Sequence, residues 1–421
     1  MMQLNRSWGT VAMGAAAVMV LAGCTAGGSD DDGSTELTVW LPTQEETQAT
    51  AMDGLISAFE EANPGITVSV EERAVDPHKE ALRQAAGTGT GPDLYWYWEG
   101  SGLGGELVDV GVSLDLTDYY AEYGWEDRFT PASLGGITQY GGFHGVPWTQ
   151  QGEGLYYSKS LFAEAGIDTP PTTYDELVEA ADALVDAGVV PMSLGGTVNW
   201  HVMRLLDALI ETKCGADVAD ELNTGDGDWG AEPCVTEAFT ELKTWGDQYL
   251  SDGFMGISND DASQLFYTGE SAMQFEGTWF NANVVENGMD AEDIGIIMFP
   301  TGTDRLYGFG EAYYISAESE HPDEAALFLD FITSTEGQEI AGSAWAALSV
   351  NAEVPVSTEN PLNEVWAGLF NEAAGIYTNN DQNFSTAETT EYWRIQNSVI
   401  TGDIDPADAG AEFQAYRDAN G

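Results

Sequence analysis

The stretch between residues 37 and 70 limits the fold more than any other part of the chain, because it is patterned as strand, helix and strand within about 35 residues. Residues 37–40 (LTVW) are β-branched and aromatic, and Asn63-Pro64-Gly65 stops the helix before a second alternating run begins at Ile66. The helix is predicted from apolar residues at spacing i, i+3, i+4 and i+7, namely Met52, Leu55, Ile56 and Phe59. Strands joined by a helix in this way are parallel, so the pattern predicts an α/β fold.

The same mixture of helices and strands continues along the chain. A helix is predicted from Pro77 to Gly87, and an apolar strand from Asp93 to Trp98. Thr173 and Glu176 have the spacing of a capping box at the start of another helix, and Pro322 stands at the start of a late one. No internal repeat interrupts this pattern, so α/β structure is expected throughout.

The N-terminus has the features of an export signal. Arg6 precedes an apolar stretch at 11–21, which has the length of a signal-peptide core and is too short to span a bilayer. The stretch ends in Leu-Ala-Gly-Cys, which resembles a bacterial lipobox, so residues 1–23 are predicted to be a lipoprotein signal peptide and Cys24 the acylated N-terminus. The alternative is an ordinary signal peptide with a chance cysteine. Residues 24–36, rich in Gly and Asp, are expected to be a flexible tether to the outer face of the cell membrane.

Two cysteines remain once Cys24 is assigned to lipid. Export favours a disulfide between Cys214 and Cys234, and two free buried thiols are the alternative.

The charge balance excludes several classes of partner. The chain has 71 acidic and 12 basic residues, for a formal net charge of -59. A basic face for nucleic acid or for an anionic membrane surface cannot be built from so few cations. Because 43% of residues are hydrophobic and 11% are aromatic, the chain can nevertheless bury large cores, and its length favours two domains. The acidic residues are best interpreted as a solvated surface.

Seven segments, taken in order, resemble the extracellular solute-binding proteins of ABC sugar importers, the family that includes maltose-binding protein. The segments are 37–41, 59–66 (FEEANPGI), 89–94 (GTGPDL), 145–148 (GVPW), 155–162 (LYYSKSLF), 269–273 (GESAM) with 277–279 (GTW), and 294–300. No single motif is specific, but all seven occur in the order found in the family.

The resemblance implies a two-lobed periplasmic-binding-protein fold with a hinge and an interlobe ligand cleft. One lobe would comprise residues 37–149 and 300–344, and the other residues 150–299 and 345–421. The chain would cross between lobes near 148–151, 299–301 and Trp345. The resemblance also implies a monomer without cofactor or metal, which captures a neutral carbohydrate and delivers it to the permease subunits.

A sugar site needs aromatic platforms for the C–H faces of a pyranose and carboxylate or amide groups for its hydroxyls. In α/β lobes these groups come from loops at the carboxyl ends of strands. On that basis and by resemblance, the expected binding residues are Glu45, Tyr97, Trp98, Glu99, Trp148, Gln151, Trp200, Glu276, Trp279 and Glu311. Gln44 and Glu153, close to Glu45 and Gln151 in the sequence, are further polar candidates. Glu99 is a substitute, because this chain has Gly100 where the family often has an acidic residue.

Other functions were weighed against this interpretation. A secreted glycoside hydrolase would also be rich in Trp and carboxylates, but a regular strand-helix alternation of about thirty residues, expected of an eight-fold barrel, is not kept here. A binding protein for a peptide, polyamine or metal chelate is the third possibility. Two further patterns were discounted: the dinucleotide-type glycines Gly100, Gly102 and Gly105, and the calcium-loop-like Asp226, Asp228 and Glu237, where Ala231 occupies the glycine position.

Overall fold

A computed structural model of the protein describes residues 34–420. The predicted signal peptide, Cys24 and most of the tether therefore lie outside the described residues. The first strand begins at Thr35, inside the stretch assigned to the tether. The reason is that Thr35 pairs with Ile66, and its N–H donates to the carbonyl of Gly65 at 2.7 Å.

Over residues 34–420 the structure contains nine strands and nineteen α-helices. The strands are β1 Thr35–Pro42, β2 Ile66–Arg73, β3 Leu94–Trp98, β4 Val146–Ser158, β5 Val190–Ser193, β6 Ser271–Gly277, β7 Ile294–Ile297, β8 Arg305–Ile315 and β9 Gly375–Tyr377. The helices are α1 Glu46–Ala62, α2 Val75–Ala85, α3 Gly104–Asp109, α4 Thr117–Tyr123, α5 Trp125–Arg128, α6 Pro131–Thr138, α7 Lys159–Glu164, α8 Tyr174–Ala187, α9 Asn199–Cys214, α10 Ala216–Thr224, α11 Pro233–Gln248, α12 Asn259–Tyr267, α13 Phe280–Glu286, α14 Pro322–Thr333, α15 Thr335–Ala341, α16 Pro361–Glu372, α17 Asn380–Asn383, α18 Thr386–Thr401 and α19 Pro406–Asn420.

The predicted β1–α1–β2 unit is confirmed. β1 pairs in parallel with β2 over eight residues, from Thr35 with Ile66 to Pro42 with Arg73. Met52, Leu55 and Phe59 form the buried side of α1. The capping box at the start of α8 is also present, with the Thr173 hydroxyl accepting from the N–H of Glu176.

All nine strands belong to one sheet, whose order is β2-β1-β3-β8-β4-β6-β5, with β7 paired to β4 and β9 to β8. The pairs at the two ends of this order, β1–β2 and β5–β6, are parallel. In the middle, β8 runs antiparallel to both β3 and β4. The sheet is therefore continuous from β2 at one edge to β5 at the other.

The buried apolar side chains fall into three groups. The first core gathers β1, β3 and the helices beside them, and includes Leu55, Tyr95 and Phe328. The second core lies around α9 and α11, with Leu206 and Trp245. The third core is smaller and is formed by side chains that include Tyr156, Phe280, Leu306 and Trp366.

β4 and β8 run between these cores, and we call them the connecting strands. Along β4, Trp148 packs in the first core and Leu155 in the second. Along β8, Leu306 and Tyr307 pack in the third and second cores, whereas Ala312 packs in the first. Along β8, the change from the second and third cores to the first falls between Tyr307 and Ala312.

Cys214 and Cys234 form a disulfide with a Cα–Cα distance of 5.0 Å, which joins the end of α9 to the start of α11. Among the helices within residues 34–420, none has the length and apolar character needed to cross a membrane.

Candidate functional site

Two adjoining cavities of about 460 and 190 Å³ lie against the connecting strands. They share Val75, Trp98, Trp279 and Glu311, so we treat them as one site and call it the front cleft. The larger cavity also reaches Gln44 and Glu45, in the loop that follows β1.

Most of the residues expected to bind ligand line the front cleft. They are Glu45, Trp98, Gln151, Trp200, Glu276, Trp279 and Glu311. Three expected residues do not line it. Tyr97 is 1% exposed and Trp148 is 3% exposed, both within the first core, and Glu99 lies on the other side of the sheet, where it lines a separate cavity.

The alternation of side chains along β3 explains this division. Successive residues of a strand point to opposite faces of the sheet. Trp96 and Trp98 share one face and both line the front cleft, whereas Tyr97 and Glu99 belong to the other face. The two tryptophan rings meet edge to face with centroids 4.5 Å apart.

Aromatic rings enter the cleft from elements of both large cores. Trp98 ends β3, and the ammonium of Lys79 lies 4.5 Å from the centroid of its ring. Trp200 is the second residue of α9, and Trp279 directly precedes α13. All three indoles are partly exposed, so their faces are available to a bound molecule.

Gln151 and Glu311 connect β4 to β8 inside the cleft. Nε2 of Gln151 donates to Oε2 of Glu311 at 2.9 Å and to the carbonyl of Trp345 at 3.0 Å. Burial raises the pKa of Glu311 from 4.5 to about 7, although hydrogen bonds from Thr149 and Gln151 act in the opposite direction. The cleft therefore presents a carboxyl group that changes charge near neutral pH.

Arg204 is the central cation of the cleft and is only 3% exposed. It forms ion pairs with Glu153 and with Glu276, the latter from Nη1 to Oε2 at 3.1 Å. Its guanidinium lies between two indoles, 5.2 Å from the ring of Trp200 and 5.4 Å from that of Trp279. Arg204 thus fixes both carboxylates and both aromatic rings in one arrangement.

The two carboxylates beside Arg204 have different environments. Burial raises the pKa of Glu153 to about 7, opposed by Arg204 and by a hydrogen bond from Asn379. His201 faces Glu276 with Nε2 3.5 Å from Oε1, and its Nδ1 accepts from the N–H of Gly195. Burial lowers the pKa of His201 to about 4, so this imidazole is neutral at pH 7 and carries its proton on Nε2.

Several residues of the cleft were not expected from the sequence: Lys79, Trp96, Arg204, Trp345 and Asp381. Arg204 stands four residues after Trp200 on α9, which places the two side chains on one helix face. This spacing could have indicated from sequence that Arg204 lies beside Trp200. Lys79 and Asp381 come from α2 and α17, far apart in sequence, and no local pattern brings them together.

The two patterns discounted at the outset have structural explanations. A Cβ on Gly100 or Gly102 would overlap the backbone carbonyl of Gln382 or Phe384, so these glycines allow two chain segments to approach. In the acidic loop after α10, Oδ1 of Asp228 accepts from the N–H groups of Gly230 and Ala231. Within the described residues there is no group of three or more side chains suited to hold a metal ion.

The fold is that of a two-lobed solute-binding protein. The profile of the bacterial extracellular solute-binding protein family matches residues 43–339, and the chain belongs to this family.

Similar proteins agree with this membership. A multiple sugar-binding protein of Streptococcus mutans is 23% identical over 407 residues, which cover 90% of this chain and 91% of that one. An uncharacterised ABC transporter extracellular-binding protein of Pyrococcus horikoshii is 26% identical over 296 residues, or 68% of this chain and 66% of that protein, just under two thirds of its length. The solved structure of a chitin oligosaccharide binding protein has a TM-score of 0.83 at 23% identity, covering 92% of this chain and 98% of that one.

Proposed function

We propose that the protein is the receptor of an ABC importer and that it binds a neutral carbohydrate in the front cleft. The observation that carries this proposal is that Trp98, Trp200 and Trp279 line the same cleft as Gln151 and Glu311. Indole faces suit the C–H faces of a pyranose, and the carboxylate and amide suit its hydroxyls. The printed names of two similar proteins, one that binds multiple sugars and one that binds chitin oligosaccharides, support the same class of ligand.

A neutral ligand fits the charges in the cleft better than an anionic one. Arg204 is already paired with two carboxylates, Glu153 and Glu276, so its charge is compensated. Glu311 and Asp381 add further acidic groups to the lining. A polyanion would also be repelled by a chain with a net charge of -59.

The proposed mechanism is capture followed by closure. The first core on one side, and the second and third cores on the other, would act as two lobes that close around the ligand by bending the connecting strands. The closed form would be the one that the permease recognises. The receptor would act as a monomer, held at the outer face of the cell membrane by lipid on Cys24.

Binding is tested by isothermal titration calorimetry and tryptophan fluorescence with a panel of neutral mono- and oligosaccharides, followed by chromatography of the recovered sugar. At least one sugar should bind with one-to-one stoichiometry, shift the emission and be recovered unchanged. Release of new reducing ends would instead indicate a glycoside hydrolase. Absence of binding across the panel would favour a non-sugar solute.

The anchor is tested separately by metabolic labelling with a fatty acid. The full chain should incorporate label and sediment with membranes, and Cys24→Ala should do neither. Matched substitution of a cysteine of the disulfide, Cys214→Ala, should leave labelling intact. Equal labelling of the Cys24→Ala protein would contradict the anchor.

A further inference from the structure

A second cavity lies on the face of the sheet opposite the front cleft. Its volume is about 500 Å³, and we call it the rear cavity. Its walls come from α6 on one side and from α16 and β9 on the other, and Gln150, Gly308 and Gly310 of the connecting strands line it. This volume is within the usual range for small-molecule sites, about 300 to 1,000 Å³.

The carboxyl group of Glu99 lies in this cavity without a partner. Glu99 is only 4% exposed, and its Oε1 has no hydrogen-bond partner in the described part of the chain. Its Oε2 lies directly against Gly136 of α6 and Gly310 of β8, and a Cβ on either glycine would overlap it. A buried carboxyl group is normally paired or hydrogen-bonded, because desolvation is otherwise uncompensated.

The glycines beside Glu99 indicate that its position is built into the fold. Gly136 lies in the interior of α6, where glycine is less favourable than almost any other residue. Gly136 provides the space that the carboxyl group occupies, so the helix accommodates Glu99 at a cost to its own stability.

The remaining lining determines which ligand would satisfy this carboxyl group. No Lys, Arg or His is among the residues that line the rear cavity within residues 34–420. The partly exposed ring of Phe370 lines it as well, whereas the ring of Phe309 lies 5.8 Å from that of Trp279 in the front cleft. Burial raises the pKa of Glu99, and so does the nearby Glu311. A ligand ammonium would stabilise the ionised carboxylate by a charge-assisted hydrogen bond, and the ring of Phe370 favours an adjacent cation or a compact apolar group.

We propose that the rear cavity is a second binding site, which takes a small organic cation whose primary ammonium pairs with Glu99 and whose compact apolar body packs against Phe370. Phe309 and Gln382 line both this cavity and the front cleft, but Glu99 lines only the rear cavity, on the opposite face of the sheet. The proposal therefore goes beyond the carbohydrate receptor function and does not depend on it.

Ligand-observed NMR and calorimetry on the full chain test the proposal with cyclohexylammonium as the probe and cyclohexanol as its neutral analogue. Cyclohexylammonium should bind saturably at one site and at least tenfold more tightly than cyclohexanol. Glu99→Gln, which keeps the shape of the side chain, should weaken binding at least tenfold. Glu126→Gln removes an exposed carboxylate outside the cavity and should leave binding unchanged.

A second variant locates the site without altering a buried residue. Ala132 is exposed and lines the rear cavity, so Ala132→Trp should fill the cavity and abolish binding in a folded protein. Ala163→Trp, at an exposed position outside the cavity, is the matched control. The proposal is overturned if cyclohexanol binds equally well, if Glu99→Gln and Glu126→Gln have the same effect, or if no saturable binding occurs.

Discussion

Nη1 of Arg204 donates a 3.1 Å hydrogen bond to Oε2 of Glu276, and both side chains are almost fully buried. Arg204 also pairs with Glu153, which is fully buried. Removal of the arginine would leave two buried carboxylates without a counterion. Removing one partner of a buried ion pair in this way is strongly destabilising, because an uncompensated buried charge remains.

Arg204→Met should therefore lower the free energy of unfolding by about 3 to 5 kcal/mol. Urea denaturation followed by circular dichroism measures the change. Arg394→Met is the matched control, because Arg394 is 45% exposed and pairs with Glu391 and Glu412 at the surface. The control should lose no more than about 1 kcal/mol. Similar losses of unfolding free energy in the two variants would show that the buried ion pairs contribute no more to stability than the surface pairs.

Trp279→Ala should weaken binding of the sugar identified by titration by about 1 to 3 kcal/mol, by analogy with the stacking of nucleic-acid bases on aromatic side chains. The reason is that Trp279 lines both parts of the front cleft with a partly exposed ring. Calorimetry gives the affinity. Trp40→Ala is the control, since Trp40 packs against Arg73 outside the cleft, and it should bind sugar normally. Unchanged affinity of Trp279→Ala would mean that this ring does not stack on the ligand.

The contribution of Glu311 to the free energy of unfolding should decrease between pH 5 and pH 8. Its pKa is raised from 4.5 to about 7 in the folded chain, so the folded state holds a proton that the unfolded state has lost. In this window the native state binds more protons than the unfolded state, and the free energy of unfolding falls as the pH rises.

The test compares the wild type with Glu311→Gln at both pH values by urea denaturation. The wild type should lose about 1 to 3 kcal/mol more than the variant across this window. The comparison cancels the contribution of the many other carboxylates. An identical pH dependence in both proteins would mean that Glu311 titrates normally.

The disulfide should stabilise the chain through the 20-residue loop that it closes. In the chain-entropy treatment a loop of this length is worth about 3 kcal/mol. A Cys214→Ser, Cys234→Ser double variant should lose this amount in urea denaturation, and a reducing agent should destabilise the wild type but not the variant. Equal stability of oxidised and reduced wild type would contradict the expectation.

The elements that sequence could predict are those with a local cause. The β1–α1–β2 unit follows from apolar periodicity and from the stop at Asn63-Pro64-Gly65, and the start of α8 follows from the Thr173 capping box. The position of the change between cores along β8 could not be predicted in this way. The strands that pair with β8, namely β3, β4 and β9, come from distant parts of the chain, and no local pattern indicates these pairings.

The candidate site likewise combines features that local sequence patterns predict with features that only tertiary structure provides. The two-residue period of a strand separates Trp98 from Glu99 and Tyr97, and this rule could have been applied to β3 in advance. The pairing of Arg204 with Glu153 depends on how α9 packs against β4, which only tertiary structure provides. Local chemistry identified Trp98, Trp200 and Trp279 as cleft residues, but not Trp96, Trp345 or the cation Arg204 beside Trp200 and Trp279.

The unbroken sheet has a mechanical consequence. β4 and β8 remain hydrogen-bonded to each other from Val146–Tyr313 to Glu153–Tyr307, with one irregularity between Pro147 and Thr149. Relative movement of the cores on either side cannot occur as free swivelling about a loose linker, because it must twist this ladder. The two strands would then behave as a leaf spring, which stores elastic energy when the cleft closes and returns it when the cargo leaves.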